Sequence, residues 1–384
     1  MSGIDKTHEL NVFVVADNVL TPLGKTTAEN FDNLKQSISA VKQHNDANIS
    51  LQSFYASVFD HDESFIKNNT HSFTKFEQLL IGSAADAIAC SGIDMKDKKT
   101  ILIISSTKGN ISLLETESYN TELKKRIALS TSAKLVASYF GCINQPIVIS
   151  NACISGIVAI ITGMRLLRSG QYENAVIVGA DVISKFILSG FASFQALSTN
   201  ICKPFDKLRD GLNLGEGAGT IIFSTNKKYA QNIKVLGGSI SNDANHISGP
   251  SRTGKELSYA ISKSLKDSRL SSKDIDFISA HGTATVYNDE MEASAITLSD
   301  LQTVPLNSLK SYYGHTLGAA GLIESIISIQ SLKEGLVLPS PGFKEVGVTN
   351  PVNVNTSLLS INANNFLKTA SGFGGCNAAA VFGK

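Results

Sequence analysis

The sequence has little charge, and the charge it has is almost balanced. Lysine and arginine together number 34, aspartate and glutamate 33, and charged residues make up only 17% of the 384 positions. Charged side chains are rarely buried, so a low share indicates a large interior relative to the surface, as in a large compact body or an extensive oligomer interface. A net charge of +1 argues against a nucleic-acid-binding protein, which needs a basic excess to neutralise phosphates.

Targeting and membrane segments are also missing from the sequence. The segment MSGIDKTHEL lacks the basic start and the apolar stretch that are typical of a signal peptide. The most apolar run, residues 154–164, meets Arg165 after 11 residues, well short of the ~18 that cross a bilayer. We therefore expect a cytoplasmic protein without membrane insertion.

Cysteines are few and are not arranged as a framework. The five cysteines form an odd set without a C-x-x-C pair, at positions 90, 142, 153, 202 and 376. This pattern predicts neither a disulfide scaffold nor a metal site, and it is typical of a reducing compartment. Taken singly, each cysteine is more often a small buried apolar residue than a reactive group.

Short β-branched runs alternate with helix-length segments along the chain, which predicts an α/β fold. The predicted strands are 11–15, 101–105, 146–150, 175–179, 220–224, 233–241, 275–280, 304–307, 352–355 and 378–382. The predicted helices are 76–91, 154–169, 257–268 and 316–333. The polar segment 42–74 is interpreted as a surface excursion.

The order of these elements repeats, which predicts a duplicated α/β unit with sheets sandwiched between helices. We divide the chain into residues 1–225 and residues 226–384.

Cys153 lies where an apolar strand turns into an apolar helix, in PIVISNACISGIVAIITG. The free N–H groups and the positive dipole end of such a helix predict a lowered thiol pKa and an oxyanion site. A structural cysteine is the alternative.

Two histidines emerge from similar strand ends. His281 follows a buried strand in DIDFISAHGTAT, where a structural role is the alternative. His315 follows Lys310 in LNSLKSYYGHTLGAAGLIES, at the start of a helix whose dipole favours a neutral, hydrogen-bond-donating imidazole. Lys310 and Glu324 are two charges in an apolar segment and are predicted to pair. The small residues 318–321 are explained equally well by close helix packing.

The segment TASGFGGCNAAAVF contains glycines that permit close backbone approach, but its spacing fits neither a dinucleotide fingerprint nor a phosphate loop. Together with SNACISG, GFASFQALS, KPFDKLRDGLNLGEGAG, SNDANHISGP and the two histidine segments, it resembles the elongating β-ketoacyl-[acyl carrier protein] synthases. The resemblance covers nearly the whole chain, with the motifs in the family's order. It implies a thiolase-like layered αβαβα fold.

The resemblance also implies roles for individual residues. Cys153 matches the nucleophile, His281 and His315 the pair that promotes malonyl decarboxylation, and Lys310 and Glu324 their charged neighbours. The remaining matches are to a gate and oxyanion donor (Phe373, with Cys153), the acyl pocket (Phe191) and the pantetheine region (His246, Thr283 and Thr285). The implied reaction is a decarboxylative Claisen condensation with malonyl-[acyl carrier protein], without metal, nucleotide or redox cofactor. The carrier protein and a second copy of the chain, in a homodimer, are the implied partners.

Departures from the family leave alternatives open. Asn151 stands where threonine is usual, Ile154 where a smaller residue is typical, and Gln195 where a basic residue often precedes ALS. A chain-length-setting subunit in a heterodimer and a non-decarboxylating acyltransferase therefore remain alternatives. Acyl chain length, and a fatty acid as against a specialised polyene or polyketide product, are not decided.

Overall fold

A ten-stranded sheet is the centre of the molecule. The computed structural model describes residues 10–60, 63–66, 73–230 and 232–384, so the N-terminal residues 1–9 considered above lie outside the described part. The strands are β1 Phe13–Leu20, β2 Lys42–His44, β3 Phe54–Ser57, β4 Thr100–Ser105, β5 Ile147–Ile149, β6 Asn174–Asp181, β7 Leu214–Gly215, β8 Gly217–Ser224, β9 Lys234–Asn242, β10 Phe277–Ser279, β11 Leu306–Asn307, β12 Leu336–Val337, β13 Leu359–Ser360, β14 Asn365–Gly372 and β15 Cys376–Gly383. The ten strands of the large sheet run in the order β11-β10-β14-β15-β9-β1-β8-β6-β4-β5.

The order of strands is the same in the two halves of this sheet. When the five strands of each half are numbered in chain order, both halves run first, fifth, fourth, second, third from the middle of the sheet to its edge. These strands are β1, β8, β6, β4 and β5 in one half and β9, β15, β14, β10 and β11 in the other. Both halves pair antiparallel at their first two contacts and parallel at the next two. The two halves of the sheet meet where β1 pairs antiparallel with β9, at Phe13 and Lys234. The topology is thus duplicated, and the boundary at residues 225/226 stays a prediction.

Helices cover both faces of each half. They are α1 Thr27–Lys35, α2 Lys75–Ser91, α3 Leu113–Thr116, α4 Thr121–Arg126, α5 Leu129–Tyr139, α6 Ser155–Arg168, α7 Lys185–Ser193, α8 Lys255–Asp267, α9 Val286–Leu298, α10 Lys310–Tyr313 and α11 Ala320–Glu334. Helices α6 and α11 pack together between the two halves of the sheet, α2 covers one outer face and α8 the other. The predicted layered αβαβα arrangement is confirmed.

Close backbone approach allows α6 and α11 to form the central layer. A Cβ at Gly156 would lie 2.6 Å from the Leu322 nitrogen, and a Cβ at Gly321 would lie 2.6 Å from the Ile157 side chain. The small residues near His315 therefore do serve helix packing. The large central core surrounds this crossing and includes Ile154, which is completely buried.

Local sequence accounts for the ends of the long helices. Thr74 and Glu77 form a capping box at the start of α2, and left-handed glycines end α2 and α11 at Gly92 and Gly335, as predicted. No helix in the described ranges is long and apolar enough to cross a membrane.

Three sequence predictions need correction. Residues 352–355 are not a strand; they bond to the edge of β11 through Leu306 only. Strand β14 was missed, because its small and polar residues, NFLKTASG, lack an apolar pattern. The excursion 42–74 contains β2 and β3, which join β7 in a small three-stranded sheet, while 61–62 and 67–72 lie outside the described residues.

Candidate active site

A cavity of about 410 Å³ collects most of the residues that the sequence singled out. Cys153, His281 and His315 line it, and all three are at least nine-tenths buried. The other predicted residues on its wall are Phe191, His246, Thr283, Thr285 and Phe373. Parts of the chain more than a hundred residues apart therefore meet in one chamber.

A strained turn presents Cys153 to the cavity. Ala152 has a positive φ of 44°, a conformation that costs energy for a residue with a Cβ. The Ser155 hydroxyl donates to the Ala152 carbonyl at 2.6 Å and accepts from the Asn151 N–H at 2.8 Å, which holds the turn. The sulfur consequently lies just before the first turn of α6, as the sequence predicted.

The predicted lowering of the Cys153 pKa is wrong. Burial raises the pKa of this thiol to about 12, and the neighbouring thiol of Cys376 adds to the rise. Lys310 and the backbone N–H of Phe373, which donates to the sulfur, act in the opposite direction without overcoming burial. The thiol is therefore protonated at neutral pH, and its attack on a thioester requires a proton acceptor.

Two buried carboxylates on α9 hold the loop that carries His281. The backbone N–H groups of His281 and Gly282 donate to Glu292 at 2.8 and 2.7 Å. The N–H of Thr283 donates to Asp289 at 3.0 Å. Burial raises the pKa of Asp289 to about 7. Neither carboxylate was predicted from sequence, although their positions in VYNDEMEA, eight and eleven residues after His281, are a visible signal.

His315 is held by its backbone, while its ring is left without partners. Its N–H donates to the Asn213 carbonyl at 2.7 Å, and its carbonyl accepts from the Gly215 N–H at 3.1 Å. Both ring nitrogens are buried and have no hydrogen-bond partner within the described residues. Buried polar atoms are normally paired, so these nitrogens point to a substrate as their partner.

The two imidazoles are neutral neighbours. Their ring centroids lie 5.3 Å apart with an interplanar angle of 80°. Burial lowers the pKa of both histidines well below the usual 6.5, and the charges of Lys310 and Lys368 lower it further. The predicted neutral state is confirmed in direction, but its causes are burial and two ammonium groups. His315 precedes α11 by five residues, with a 3₁₀ turn between them.

Lys310 and Glu324 lie behind the histidines, not on the cavity wall. They pair, as predicted, and the Lys310 ammonium also donates to the His281 carbonyl at 3.0 Å. A second lysine, which was not predicted, also lies here: Lys368 of β14 is 2.7 Å from the other Glu324 oxygen. A lysine within a strand of small and apolar residues was the available signal.

Phe373 lies between two other aromatic rings at the cavity wall. Its ring stacks on Phe191 with centroids 5.7 Å apart, and Phe194 contacts it edge-on at 5.3 Å. The backbone there runs very close to Cys153, since a Cβ at Gly372 would lie 2.9 Å from the Cys153 nitrogen. This explains the glycine in SGFGG, and Phe194 is a wall residue that the sequence did not reveal.

The remaining predicted residues lie nearer the mouth. The hydroxyls of Thr283 and Thr285 are 2.8 Å apart on the wall, and His246 is exposed. Gln195 lies on the cavity wall, and no lysine or arginine of the described chain lines it.

Comparison with known proteins agrees with this geometry. The family model described as "Beta-ketoacyl synthase, N-terminal domain" matches residues 10–228, and "Beta-ketoacyl synthase, C-terminal domain" matches residues 233–344. The chain is 28% identical to 3-oxoacyl-[acyl-carrier-protein] synthase 2 of Vibrio cholerae, over 97% of this chain and 98% of the relative. It is 29% identical to nodulation protein E of Rhizobium leguminosarum, over 66% and 65%.

Solved structures share the fold at lower identity. The ishigamide ketosynthase/chain length factor superposes with a TM-score of 0.89 at 24% identity, covering 98% of this chain and 99% of that one. The ketosynthase ApeO of Xenorhabdus doucetiae, solved in complex with its chain length factor ApeC, has a TM-score of 0.86 at 24% identity, covering 99% and 100%. Together with the two domain matches, these findings identify the chain as a member of the β-ketoacyl synthase family, whose members are acyl-transferring condensing enzymes with a thiolase-like fold.

Proposed function

We propose that this chain condenses an acyl group held on Cys153 with malonyl-[acyl carrier protein] and releases CO2 and a β-ketoacyl-[acyl carrier protein]. The single observation that carries the proposal is one buried chamber in which the Cys153 thiol meets two neutral imidazoles. The chamber excludes water, which would otherwise protonate the carbanion before it could form a carbon–carbon bond.

The first step is acyl transfer to Cys153. Its sulfur attacks the carbonyl carbon of the incoming thioester while its proton passes to a neutral imidazole and then to the departing carrier thiol. The oxyanion formed is stabilised by the backbone N–H groups of Cys153 and Phe373. Because the pKa of the free thiol is about 12, the thiol loses its proton during the attack, and that proton is passed on to the leaving group.

The second step breaks the bond between the malonyl methylene carbon and its carboxylate. His281 and His315 donate N–H bonds to the thioester oxygen, which becomes an enolate as CO2 leaves. The enolate carbon then attacks the acyl-Cys153 carbonyl, and the sulfur departs with the electron pair of the broken thioester bond and takes up one proton from solvent, relayed by an imidazole. Neutral imidazoles suit this step because each can donate one hydrogen bond and accept another.

A condensation assay with malonyl-loaded carrier protein tests the nucleophile. Cys153→Ala should produce no β-ketoacyl product, whereas Cys90→Ala, at an exposed cysteine on α2, should match the parent. Product from Cys153→Ala equal to that of the parent would refute the proposal. Acetyl-type substrates turned over without CO2 release would instead identify a non-decarboxylating acyltransferase.

The carrier arm reaches Cys153, in this proposal, along the wall that carries Thr283 and Thr285. Their hydroxyls can bond the amides of a phosphopantetheine arm, and His246 lies at the exposed end of the same wall. Substitution of Thr283 by valine should raise the KM for the malonyl carrier about tenfold and leave unfolding unchanged. An unaltered KM would remove the threonine from the arm's path.

A second copy of the chain is the proposed partner at the β5 edge. Among the described residues, no strand pairs with the outer side of β5, although Ile147 and Ile149 are only half-buried there. Such an edge is a template for pairing with another chain. Equilibrium sedimentation should give twice the mass of one chain. A monomer that gains activity only with a second synthase-like chain would establish the heterodimer instead.

The place of the reaction follows from its chemistry. All five cysteines are free thiols, Cys153 among them. A thiol nucleophile keeps its activity in a reducing compartment, so the proposal places the enzyme in the cytoplasm. Fatty acid and specialised polyene or polyketide synthesis remain alternative pathways for its product.

A further inference from the structure

A second lysine lies in the core beneath the histidines, and the mechanism above does not use it. Lys368 is completely buried in β14. Its ammonium nitrogen lies 3.1 Å from each of the Ser279 and Ala280 carbonyl oxygens and 2.7 Å from the Glu324 carboxylate. The two carbonyls accept hydrogen bonds from the ammonium, and the carboxylate forms an ion pair with it.

We propose that Lys368 is a positioning residue of the condensation site: it holds the carbonyls that precede His281, shares Glu324 with Lys310 and keeps an excess positive charge beneath the two imidazoles. The inference rests on the proposed decarboxylative condensation and goes beyond it, because it assigns a role to a residue that does not line the cavity.

The first part of the role is mechanical. Lys368 donates to the carbonyls of residues 279 and 280, and Lys310 donates to the carbonyl of His281. Two ammonium groups from separate elements therefore bond three consecutive carbonyls. From the other side, Glu292 accepts the His281 N–H and also the hydroxyl of Thr369, the residue after Lys368. The end of β14 thus fixes the His281 backbone from two directions.

The second part is electrostatic. Around the imidazoles, the charged groups in direct contact with one another are Lys310, Lys368 and Glu324, which together carry one excess positive charge. Glu292 and Asp289 on α9 accept backbone N–H groups, and neither contributes to the pKa shift of either histidine. An excess positive charge disfavours imidazolium, and both lysines lower the pKa of both histidines.

The fold itself does not require a charge at this position. In the other half of the sheet, β6 corresponds to β14, and Gly179 pairs with Ser105 as Lys368 pairs with Ser279. A Cβ at Gly179 would lie 2.3 Å from the Ser105 hydroxyl, so that half is built without any side chain there. The lysine therefore belongs to the histidine site, not to the duplicated framework.

Three substitutions separate the two parts of the role. Lys368→Met removes both charge and donors, Lys368→Gln keeps donors without charge, and Lys368→Arg keeps charge. In a pH–rate profile of condensation, the acid limb should move to higher pH by about one unit in the Met and Gln variants and stay in place with Arg. The plateau rate should fall about tenfold with Met, and less with Gln, because His281 is less well held.

Acylation of Cys153, followed by mass spectrometry, should fall less than condensation, since acylation uses an imidazole only as a proton acceptor and needs no enolate donor. The matched control is Lys273→Met, which removes an exposed lysine and should leave rate and profile unchanged. If the acid limb does not move in the Met and Gln variants, Lys368 has only a structural role, as an ion-pair partner of Glu324. If the Met variant does not fold, the Gln and Arg variants decide. If the unsubstituted protein shows no condensation activity, the proposed function is refuted instead.

Discussion

The two halves of the sheet share one topology and carry different chemistry. The third strand of each half leads into a central helix, and the connection presents Cys153 before α6 in one half and His315 before α11 in the other. The second strand of each half ends in Ser105 or in Ser279, which is followed two residues later by His281. Duplication of one α/β unit therefore places Cys153, the proposed nucleophile, and His315 at equivalent points that line one cavity.

The halves also differ in what is buried beneath those points. On the cysteine side, Asp181 accepts bonds from the Ser106 hydroxyl at 2.8 Å and the Gly318 N–H at 2.7 Å, and so ties the two halves together. On the histidine side, two lysines share Glu324. Equivalent backbones in the two halves therefore carry different buried charges.

The largest expected effect is on condensation, the step proposed for the histidine half, and not on acylation of Cys153. His315→Ala should lower condensation about a thousandfold, because an enolate donor is lost, while acylation of Cys153 continues. Rapid-quench assays that follow acyl-enzyme and CO2 separately measure the two steps. Loss of both steps to the same extent would show that the halves do not divide the chemistry.

A smaller effect is expected where the halves touch. Gly156→Ala places a methyl group 2.6 Å from the Leu322 backbone and should lower the free energy of unfolding by about 1–3 kcal/mol. Gly190→Ala is the matched control, since it lies in α7 with open space around its Cβ and should be neutral or stabilising by up to about 1 kcal/mol. Urea denaturation of both variants measures the difference. Equal stability of the two would contradict the close crossing.

The buried histidines and the buried aspartates Asp181 and Asp289 should contribute to the pH dependence of stability with opposite signs. His281 and His315 have lowered pKa values, so the unfolded chain binds more protons, and stability falls as pH drops below about 6.5, by up to about 1.4 kcal/mol per unit for each histidine. Asp181 has a pKa raised to about 6, so its contribution is lost as pH rises from about 4 to about 6. His315→Gln should flatten the acid slope below pH 6.5, and Asp181→Asn should steepen the rise of stability between pH 4 and 6. Unchanged slopes in denaturation at a series of pH values would contradict the buried charge states.

The smallest expected effect concerns the two ends of the sheet. The edge of β11 is covered, because Leu306 exchanges backbone bonds with Asn353 and Asn355, whereas β5 has no such cover in the described chain. Hydrogen exchange of residues 147–149 should therefore accelerate about tenfold on dilution, as pairing with a second copy is lost, while Leu306 stays protected. Protection of both edges that does not depend on concentration would argue against β5 as the dimer edge.

Sequence patterns were informative where local chemistry dominates. Gly92 and Gly335 end their helices as predicted, and the apolar strands β4 and β6 follow from their uninterrupted β-branched runs. Residues 365–372 were missed because a strand buried on both sides by close neighbours can be built from small residues such as those of TASG.

The chemistry of individual side chains was less predictable than their identity. The sequence by itself determined the turn that presents Cys153, the two histidine segments and the pairing of Lys310 with Glu324, because strand, turn and helix signals are local. Only the tertiary structure decided the protonation of the thiol, the neutral state of the histidines through two lysines, and the place of Lys368. Burial and charges from distant segments set those properties, and neither is visible in the neighbours along the chain.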